Sequence, residues 1–419
     1  MFLLVDCNNF FASVEQVFAP KLRNKPLVIL SNNEGCIIAR SKEAKAVGIP
    51  MGAPLFKYRD LIIKHDVTTL ASNFPLYGDM SRRVMKILED FELDLEIYSV
   101  DEAFLFIEQE LDFLKLAAEI QKRILQWTGI PVSIGIAPTK TLAKVATTYA
   151  KSNGSGIVLL KDSQMIESYL KKLDVGEVWG IGHRLKEKLN SFRVKTAYEL
   201  TQKNDSWIRN QMSVVGLRTV YELRGTSCLK LNEIASQKSI LRSRSFTVEI
   251  GQLETLEQKI ASFADTLGRQ LRKYGLVCSQ ICTFASSNRH HTHVKYVSDS
   301  FHIQLTEPSS YTPLLISKAK KSLRKIFQKG VLYKRAGVLV YGLTNEDSKQ
   351  RDLFSRPDID EFERKRLMET YDRINHHYGE KSLYFAAEGF IKKNIDKSTS
   401  RSGCYTTSWD ELLTISLSK

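Results

Sequence analysis

The adjacent acids Asp101 and Glu102 are the sequence feature that most constrains the fold, because they stand between two runs typical of β-strands. Residues 94–98 alternate between polar and apolar before the pair, and residues 103–107 are apolar and β-prone after it. This pattern predicts a hairpin whose second strand begins at the acids. Taken alone, an Asp-Glu pair is more often part of an ordinary turn than of a functional site.

A third acid, Asp6, favours a functional interpretation of the pair. Asp6 ends the apolar run 2–5, which is typical of a buried strand. If the strands that carry Asp6 and Asp101 are neighbours, their carboxylates converge at one edge of a sheet. Two divalent cations about 3.5–4 Å apart can bridge carboxylates placed in this way, which is the arrangement for in-line phosphoryl transfer. Mg²⁺ suits such a site because it prefers a few carboxylates together with substrate phosphates.

The order of the predicted elements indicates the fold class. Helices are predicted at 10–18, 41–47, 73–91, 111–127 and 139–150, and strands at 2–5, 26–30, 36–39, 94–98, 103–107 and 131–136. The elements at 26–47 form a small α/β insertion, and without it the order is β-α-β-β-α-β. This order is the ferredoxin-like pattern, in which the first and third strands are adjacent at the centre of the sheet. Asp6 and Asp101 belong to those two strands.

The composition indicates a polyanionic partner. Lys and Arg outnumber Asp and Glu by 61 to 47, which gives a net charge of +14 and a pI near 9.3. This balance favours a nucleic acid or an anionic membrane as partner. No apolar run approaches the ~20 residues of a membrane span, and residues 1–5 lack the basic start of a signal peptide. We therefore predict a cytoplasmic protein that does not associate with membranes. The six cysteines include no CxxC pair, which predicts reduced thiols.

Gly180-Ile-Gly182 precedes the amphipathic segment 184–189 and favours a helix-hairpin-helix motif. Its backbone N–H groups would bind a DNA phosphate without reading sequence. An ordinary helix cap with Gly at its turn explains the pattern equally well. A polar stretch at 228–240 predicts a linker, and a second α/β unit follows it. From Lys318 to Arg335 there are eight Lys or Arg and no acid, which predicts a DNA-facing surface.

The polar segment 345–354 contains only two apolar residues, Leu353 and Phe354. Two bulky apolar side chains in a charged segment indicate a peptide that docks in a partner's groove. The alternative is a linker whose Leu and Phe fold back on the chain. A helix is predicted near 359–371 in the tail that follows.

Several motifs occur together in one order along the chain. They are Asp6, Phe10-Phe11-Ala12-Ser13, Ser31-Asn-Asn-Glu-Gly-Cys36, Ala39-Arg-Ser-Lys-Glu-Ala-Lys45, Ser99-Val-Asp-Glu-Ala-Phe104, Gly180-Ile-Gly182, Gln350-Arg-Asp-Leu-Phe354 and Tyr405-Thr-Thr407. In this combination the sequence resembles the Y-family translesion DNA polymerases over essentially its whole length. The resemblance is greatest to the UmuC-like branch, which supplies the catalytic subunits of bacterial SOS polymerases.

The resemblance implies an α/β (α+β) fold with four DNA-holding parts. These are a ferredoxin-like palm with a small fingers insertion, a helical thumb with the helix-hairpin-helix, and a separate α/β little finger. The expected boundaries are 1–24 and 74–165 for the palm, 25–73 for the fingers, 166–230 for the thumb, 231–241 for a linker, 242–343 for the little finger and 344–419 for the tail.

The resemblance also implies roles for individual residues. Asp6, Asp101 and Glu102 would be the catalytic carboxylates, and Asp6, Asp101 and the main-chain carbonyl of Cys7 would bind two Mg²⁺ ions. Lys45 and Lys151 would hold the triphosphate of a dNTP, a role that their predicted places on the fingers helix and at the end of the last palm helix support. Phe11 matches a steric gate against a 2′-hydroxyl, where Tyr is commoner in the family. Phe10 matches the preceding aromatic, and core packing is an equally good role for it.

Further residues are expected to contact DNA or partners. Gly180, Gly182, Arg242 and Arg244 would hold DNA, and Cys36, Ile38 and Gly52 would cover the templating base pair. Gln350, Leu353 and Phe354 would bind a sliding clamp. The resemblance implies two further partners, a processed UmuD dimer and a RecA filament.

The expected function is error-prone, template-directed translesion synthesis in the SOS response to DNA damage, in which dNTPs are added to a primer 3′ end on DNA at the nucleoid. Two alternatives use the same residues. A nucleotidyl cyclase would join a ribose 3′-oxygen to its own α-phosphate on the same sheet, although the helix-hairpin-helix and the second basic unit argue against it. A non-catalytic DNA-binding or clamp-associated factor is the other alternative, and the presence of all three acids argues against it.

Overall fold

The structure, a computed structural model, describes residues 1–32, 35–109, 111–152, 154–231, 237–291, 295–348, 359–389 and 400–413. The chain divides into two compact units. The first contains Met1–Glu233 and Asp396–Lys419, and the second contains Ile234–Ile395. Within the described residues, no helix is both long enough and apolar enough to cross a membrane.

The first unit contains eight strands and ten α-helices among its described residues. In chain order they are β1 (Phe2–Cys7), α1 (Phe10–Phe18), β2 (Leu27–Leu30), β3 (Ile37–Arg40), α2 (Lys42–Ala46), α3 (Arg59–Lys64), β4 (Thr68–Ala71), α4 (Phe74–Glu89), β5 (Asp94–Ile97), β6 (Glu102–Phe106), α5 (Phe113–Thr128), β7 (Val132–Ala137), α6 (Lys140–Ala150), β8 (Ile157–Leu159), α7 (Ser163–Lys172), α8 (His183–Ser191), α9 (Ala197–Thr201) and α10 (Asp205–Leu223). The predicted helices and strands of this part differ from these bounds by only one or two residues at most ends.

The main sheet of the first unit has the strand order β5-β6-β1-β7-β8. Strand β1 is central, antiparallel to both β6 and β7, and all six of its residues are buried. This burial explains why the run at 2–5 is continuously apolar rather than alternating. The order of the first four strands confirms the ferredoxin-like prediction. Strand β8, a three-residue strand parallel to β7, was not predicted.

The insertion after α1 forms a separate three-stranded sheet in the order β3-β2-β4. Strand β4 pairs in parallel with β2 and was not predicted. Helix α2 begins after Ser41, whose hydroxyl accepts a hydrogen bond from the Ala44 N–H at 3.2 Å. Gly48 follows the helix with a φ of +89°, as expected for a glycine that terminates a helix. The sheet and its short helices enclose a small core of their own.

Helices α7 to α10 pack with α6 around a second core of the first unit. Helix α8 begins after Gly182, and Gly180 has a φ of +89° that favours glycine. Helix α10 is interrupted at Ser213, whose φ and ψ of 67° and −176° are not helical. The Gly180–Gly182 turn therefore opens a helix, as the sequence predicted.

The second unit is built on a four-stranded antiparallel sheet in the order β11-β10-β12-β9. Its elements are β9 (Ser239–Ile250), α11 (Leu253–Lys273), β10 (Leu276–Ser287), β11 (Ser298–Ser309), α12 (Thr312–Ile326), β12 (Tyr333–Asn345) and α13 (Ile359–Tyr378). Strand β9 begins inside the range predicted as a linker. The sequence predicts strands of this unit at 278–285 and 336–341, and β10 and β12 extend beyond both ranges. Strand β11 was not predicted.

Helix α13 packs on α11 through polar contacts. The Tyr371 hydroxyl donates to the buried Asp265 carboxylate at 3.0 Å. Arg272 donates two hydrogen bonds to the Asp372 carboxylate, at 2.6 and 2.8 Å. Charge-assisted pairs of this bidentate kind are specific in geometry as well as favourable in energy. The helix continues to Tyr378, beyond the predicted end at residue 371.

Candidate active site

The acids predicted from the sequence meet where β1 ends and the antiparallel β6 begins. Asp6 lies opposite Glu102 in the antiparallel register of these strands. The next N–H along β1, that of Cys7, donates to the Asp101 carbonyl at 2.8 Å. The register therefore brings all three acids to one end of the sheet, with Glu102 as the direct cross-strand neighbour of Asp6.

Asp6 is a buried carboxylate with a lysine partner. Its side chain is 8% exposed, and the Lys151 ammonium lies 2.7 Å from Oδ2. Burial raises the pKa of Asp6 to about 7, the Lys151 ammonium opposes this rise, and the nearby Glu102 adds to it. A charge held in this way needs a cation beside it, and Lys151 provides one from the end of α6.

Glu102 has a second lysine as its partner. The Lys144 ammonium lies 2.9 and 3.1 Å from the two carboxylate oxygens. It also lies over the rings of Tyr98, Phe104 and Trp179, at 4.6, 6.0 and 5.2 Å from their centroids. Lys144 was not identified from the sequence. The helical spacing of Lys140, Lys144 and Lys151, four and seven residues apart, is the signal that could have indicated it.

The Asp101 carboxylate is held by its own loop. Its Oδ1 accepts a hydrogen bond from the Ser99 hydroxyl at 2.6 Å. The Ser99 oxygen in turn accepts from the N–H groups of Asp101 and Glu102, at 3.3 and 3.1 Å. Ser99 therefore fixes the turn between β5 and β6 and the direction of the acid that it carries.

The acids fit a hard divalent cation by their donor chemistry, since all of them offer carboxylate oxygens. The Lys151 and Lys144 ammoniums supply the positive charge beside Asp6 and Glu102 in this structure. Within the part of the chain that the structure describes, no group of three His, Cys, Asp or Glu side chains is gathered in a form that could hold a metal ion. A cavity of about 210 Å³ lies between Asp6, Glu102 and the two lysines.

The two predicted triphosphate-binding lysines, Lys45 and Lys151, both influence the electrostatics of this site. Burial and the charges of Arg40 and Lys151 lower the pKa of Lys45, whereas Asp6 raises it. These influences put Lys45 of α2 within electrostatic range of Asp6 and Lys151. The insertion therefore adds a third lysine ammonium, after those of Lys151 and Lys144, to the electrostatic surroundings of the acid cluster.

The two aromatic residues at the start of α1 have different environments. Phe10 is buried in the core of the main sheet, which agrees with its packing role. Phe11 is half-buried and stacks on Tyr77 of α4, with ring centroids 4.5 Å apart and an interplanar angle of 16°. Phe74 meets Phe11 edge-on at 6.0 Å. Tyr77 was not identified from the sequence.

The predicted DNA contacts are spread over both units. Gly180 and Gly182 belong to the first unit, whereas Arg242 and Arg244 are exposed on β9 of the second. Part of the basic segment 318–335 is engaged within its own unit, because Lys320 and Arg324 pair with Glu257 at 2.9 and 2.5 Å. Glu257 therefore partly neutralises these two cations of the predicted DNA-facing surface. The clamp residues Gln350, Leu353 and Phe354 lie outside the described residues.

Family models match most of the chain. The impB/mucB/samB family matches residues 5–148, and the C-terminal domain of that family matches residues 237–353. The helix-hairpin-helix (HHH) motif of the same family matches residues 163–192, which confirms the predicted motif. A domain of unknown function matches residues 365–415.

Relatives and solved structures agree with these matches. Protein ImpB and protein UmuC of Salmonella typhimurium are each 37% identical to the chain, over 98% and 99% of it and 99% and 100% of their own lengths. DNA polymerase IV of Oceanobacillus iheyensis is 32% identical over 64% of the chain and 65% of its own length. A chimeric Y-family DNA polymerase of known structure has a TM-score of 0.68, at 22% identity over 81% of this chain and 98% of that one. The chain belongs to the impB/mucB/samB family, within the UmuC-like branch of the Y-family DNA polymerases.

Proposed function

We propose that this chain is an error-prone DNA-directed DNA polymerase that carries out translesion synthesis in SOS mutagenesis. The observation that carries the proposal is the convergence of Asp6 and Glu102 at the end of two central strands, next to Lys45 and Lys151. It occurs in a chain that is similar to UmuC over 99% of its length. Carboxylates that bind cations and lysines that bind phosphate are the groups that phosphoryl transfer needs.

The family implies a divalent metal cofactor. We infer that it is Mg²⁺, with two ions held by Asp6, Asp101 and the main-chain carbonyl of Cys7, and with Glu102 as the third catalytic carboxylate. When bound, the ions lower the pKa of the primer 3′-hydroxyl and neutralise the developing charge on the α-phosphate. The carboxylates position the reacting groups at the end of a rigid sheet.

The lysines supply the remaining positive charge. Lys151 contacts Asp6 from the end of α6, and Lys45 of α2 lies within electrostatic range of Asp6. A triphosphate that enters between them gives both ammoniums an anionic partner outside the protein. Lys45 and Lys151 thus orient a dNTP so that its α-phosphate faces the carboxylates.

The proposed DNA contacts act without reading sequence. The N–H groups of the Gly180–Gly182 turn hold a backbone phosphate, and Arg242 and Arg244 add charge on β9. The proposed partners are primer-template DNA, dNTPs, a sliding clamp that binds Gln350, Leu353 and Phe354, a processed UmuD dimer and RecA. With these partners the protein acts in the cytoplasm, at the nucleoid.

Primer extension tests the proposed function. The full chain is incubated with Mg²⁺, dNTPs and a primer-template that carries an abasic site, with and without processed UmuD and RecA. We expect template-directed insertion opposite the lesion and beyond it. A cyclic nucleotide product without extension would instead support a nucleotidyl cyclase, and DNA binding without incorporation under all conditions would support a non-catalytic factor. Membership of the family favours neither alternative.

The steric role of Phe11 gives a separate prediction. Phe11→Ala should reduce the preference for dNTP over rNTP by about tenfold to a hundredfold, because pressing an extra atom against a packed ring costs about 1–3 kcal/mol. The measurement is single-nucleotide incorporation of matched dNTP and rNTP. Phe11→Tyr is the control, because it keeps the ring and should keep the preference. An unchanged preference in Phe11→Ala would place the gate at another residue.

A further inference from the structure

Residues 400–413, which we call the C-terminal strap, pack against elements near the start of the chain. The Ala71 N–H at the end of β4 donates to the Ser400 carbonyl at 3.1 Å, and Ala71 and Arg401 form an isolated β-bridge. Tyr405 stacks on Phe18 of α1, with ring centroids 5.3 Å apart. The strap lies within the range that matches a domain of unknown function. It is thus built into the same unit as the acid cluster.

Asn73 ties the strap to the beginning of α4. Its side-chain nitrogen lies 3.0 Å from the Ser402 carbonyl, the Ser402 hydroxyl and the Gly403 carbonyl. Its side-chain oxygen accepts from the Leu76 N–H at 3.4 Å and so caps the helix. Asn73 is fully buried. A buried amide with all of these partners specifies one position of the strap relative to α4.

Glu15 of α1 links the strap to Tyr77. Its side chain is buried, and Oε1 accepts from the Tyr77 hydroxyl at 2.7 Å and from the Ser402 hydroxyl at 2.9 Å. Burial raises the pKa of Glu15, and the two hydroxyl donors oppose this rise. A buried carboxylate is costly unless it is hydrogen-bonded. Glu15 therefore needs both donors, and one of them comes from the strap.

Tyr77 supports the ring of Phe11. The two rings are nearly parallel, with an interplanar angle of 16° and a centroid distance of 4.5 Å. The position of Phe11 therefore depends on the position of Tyr77, and the hydroxyl of Tyr77 is anchored at Glu15. A continuous set of contacts runs from Ser402 through Glu15 and Tyr77 to Phe11.

We propose that the C-terminal strap is a positioning element for sugar selection, in which Ser402, acting through Glu15 and Tyr77, fixes the ring of Phe11. This inference rests on the proposed role of Phe11 as the steric gate. It gives a role in nucleotide choice to a segment that stands almost four hundred residues after Phe11 in the chain. In this arrangement Ser402 acts on the reaction only through the gate, since its hydroxyl bonds to Glu15 and Asn73.

Ser402→Ala is the first test, because it removes the hydroxyl and leaves the Tyr77 hydroxyl alone at Oε1 of Glu15. We expect the dNTP-over-rNTP ratio of kcat/KM to fall by about three- to tenfold, since a hydrogen bond to a buried charged group is lost. The full chain is assayed by single-nucleotide incorporation on a primer-template with Mg²⁺. Ser402→Thr, which keeps a hydroxyl, should restore the ratio. Thr407→Ala is the matched control, because it removes an exposed hydroxyl of the same strap.

A double mutant shows whether the effect passes through Phe11. In the Phe11→Ala background, Ser402→Ala should change the ratio no further, because the ring that it positions is already absent. Tyr77→Phe should lower the dNTP-over-rNTP ratio in the same way as Ser402→Ala, since it keeps the ring and removes the hydroxyl that donates to Glu15. Thermal unfolding and DNA binding of each variant identify a general folding defect.

The outcomes separate this inference from the proposed function. If Phe11→Ala lowers the ratio and neither Ser402→Ala nor Tyr77→Phe does, the positioning role of the strap is wrong, while the role of Phe11 as steric gate is supported. An additive loss in the double mutant also contradicts the inference, because Ser402 would then act by another route. If Phe11→Ala leaves the ratio unchanged, both the gate and the role of the strap are wrong, while the polymerase activity is still supported.

Discussion

Asp101→Ala is expected to abolish Mg²⁺-dependent nucleotide incorporation, lowering its rate by at least about a thousandfold, because metal ions supply several kcal/mol of transition-state stabilisation. The folded state should change little. The Asp101 carboxylate is hydrogen-bonded to Ser99 in its own turn, and Asp101 packs in no hydrophobic cluster of the described residues. The measurement is single-turnover incorporation of one dNTP with Mg²⁺.

The control for this prediction is Asp94→Ala. Asp94 is an exposed acid on β5 of the same sheet, remote in its register from the ends that carry the three acids. Its replacement should leave incorporation unchanged. Thermal unfolding and primer-template binding of Asp101→Ala should both resemble those of the unmodified chain. Substantial Mg²⁺-dependent extension by a folded Asp101→Ala protein would remove Asp101 from the catalytic set.

Leu353→Ala with Phe354→Ala is expected to remove stimulation by a sliding clamp while extension without the clamp is unchanged. Burying each of these side chains in a partner's groove contributes on the order of 2–3 kcal/mol, and a micromolar contact has a binding free energy of about −8.2 kcal/mol. Losing both anchors therefore leaves too little affinity for a stable complex. A clamp that encircles the same duplex raises the effective concentration of the peptide, so a weak contact is sufficient before the change.

Arg351→Ala with Asp352→Ala is the matched control, because it alters the residues directly before the two anchors and leaves both anchors in place. Its stimulation by the clamp should be close to that of the unmodified chain. The measurement is the length distribution of products on a primed circular template, with and without the loaded clamp. Full stimulation of the anchor mutant would show that residues 350–354 are not the contact.

The central strands could be predicted from the sequence because strands that are buried on both faces have continuous apolar sequences. The apolar runs 2–5 and 103–107 correspond to β1 and β6, and the ferredoxin-like order predicted that these strands are neighbours. The register was not predictable from these runs, since a shift of one residue changes which acid faces Asp6 without changing the apolar pattern of so short a segment. The structure has Glu102 opposite Asp6.

Two of the three missed strands carry weak signals of their own. Strand β8 has three residues, and β4 begins with two threonines, so neither is long enough to show a period. Strand β11 is different, because Phe301, Ile303 and Leu305 alternate with polar residues and this period of two could have indicated a strand. Strands β4 and β8 are specified by the pairing partners that the sheet offers rather than by their own composition.

Side-chain contacts between residues that are far apart in the chain could also not be predicted from the sequence. Glu15 and Ser402 are hydrogen-bonded although they are 387 positions apart in the chain. Lys144 of α6 has three aromatic rings and Glu102 around its ammonium, and these partners come from other parts of the chain. A charged residue in a helix is by default solvated, and only the fold shows which one is enclosed.

The lysine partners of Asp6 and Glu102 make cation binding at this end of the sheet an exchange reaction. A divalent ion held by these carboxylates would compete with the ammoniums that already neutralise them, so its net gain in Coulomb energy would be smaller than the gain at bare acids. Lys151, once released from Asp6, would be available to the phosphates of the nucleotide. Ion and nucleotide would thus favour each other's binding, and the site would assemble fully only when both are present.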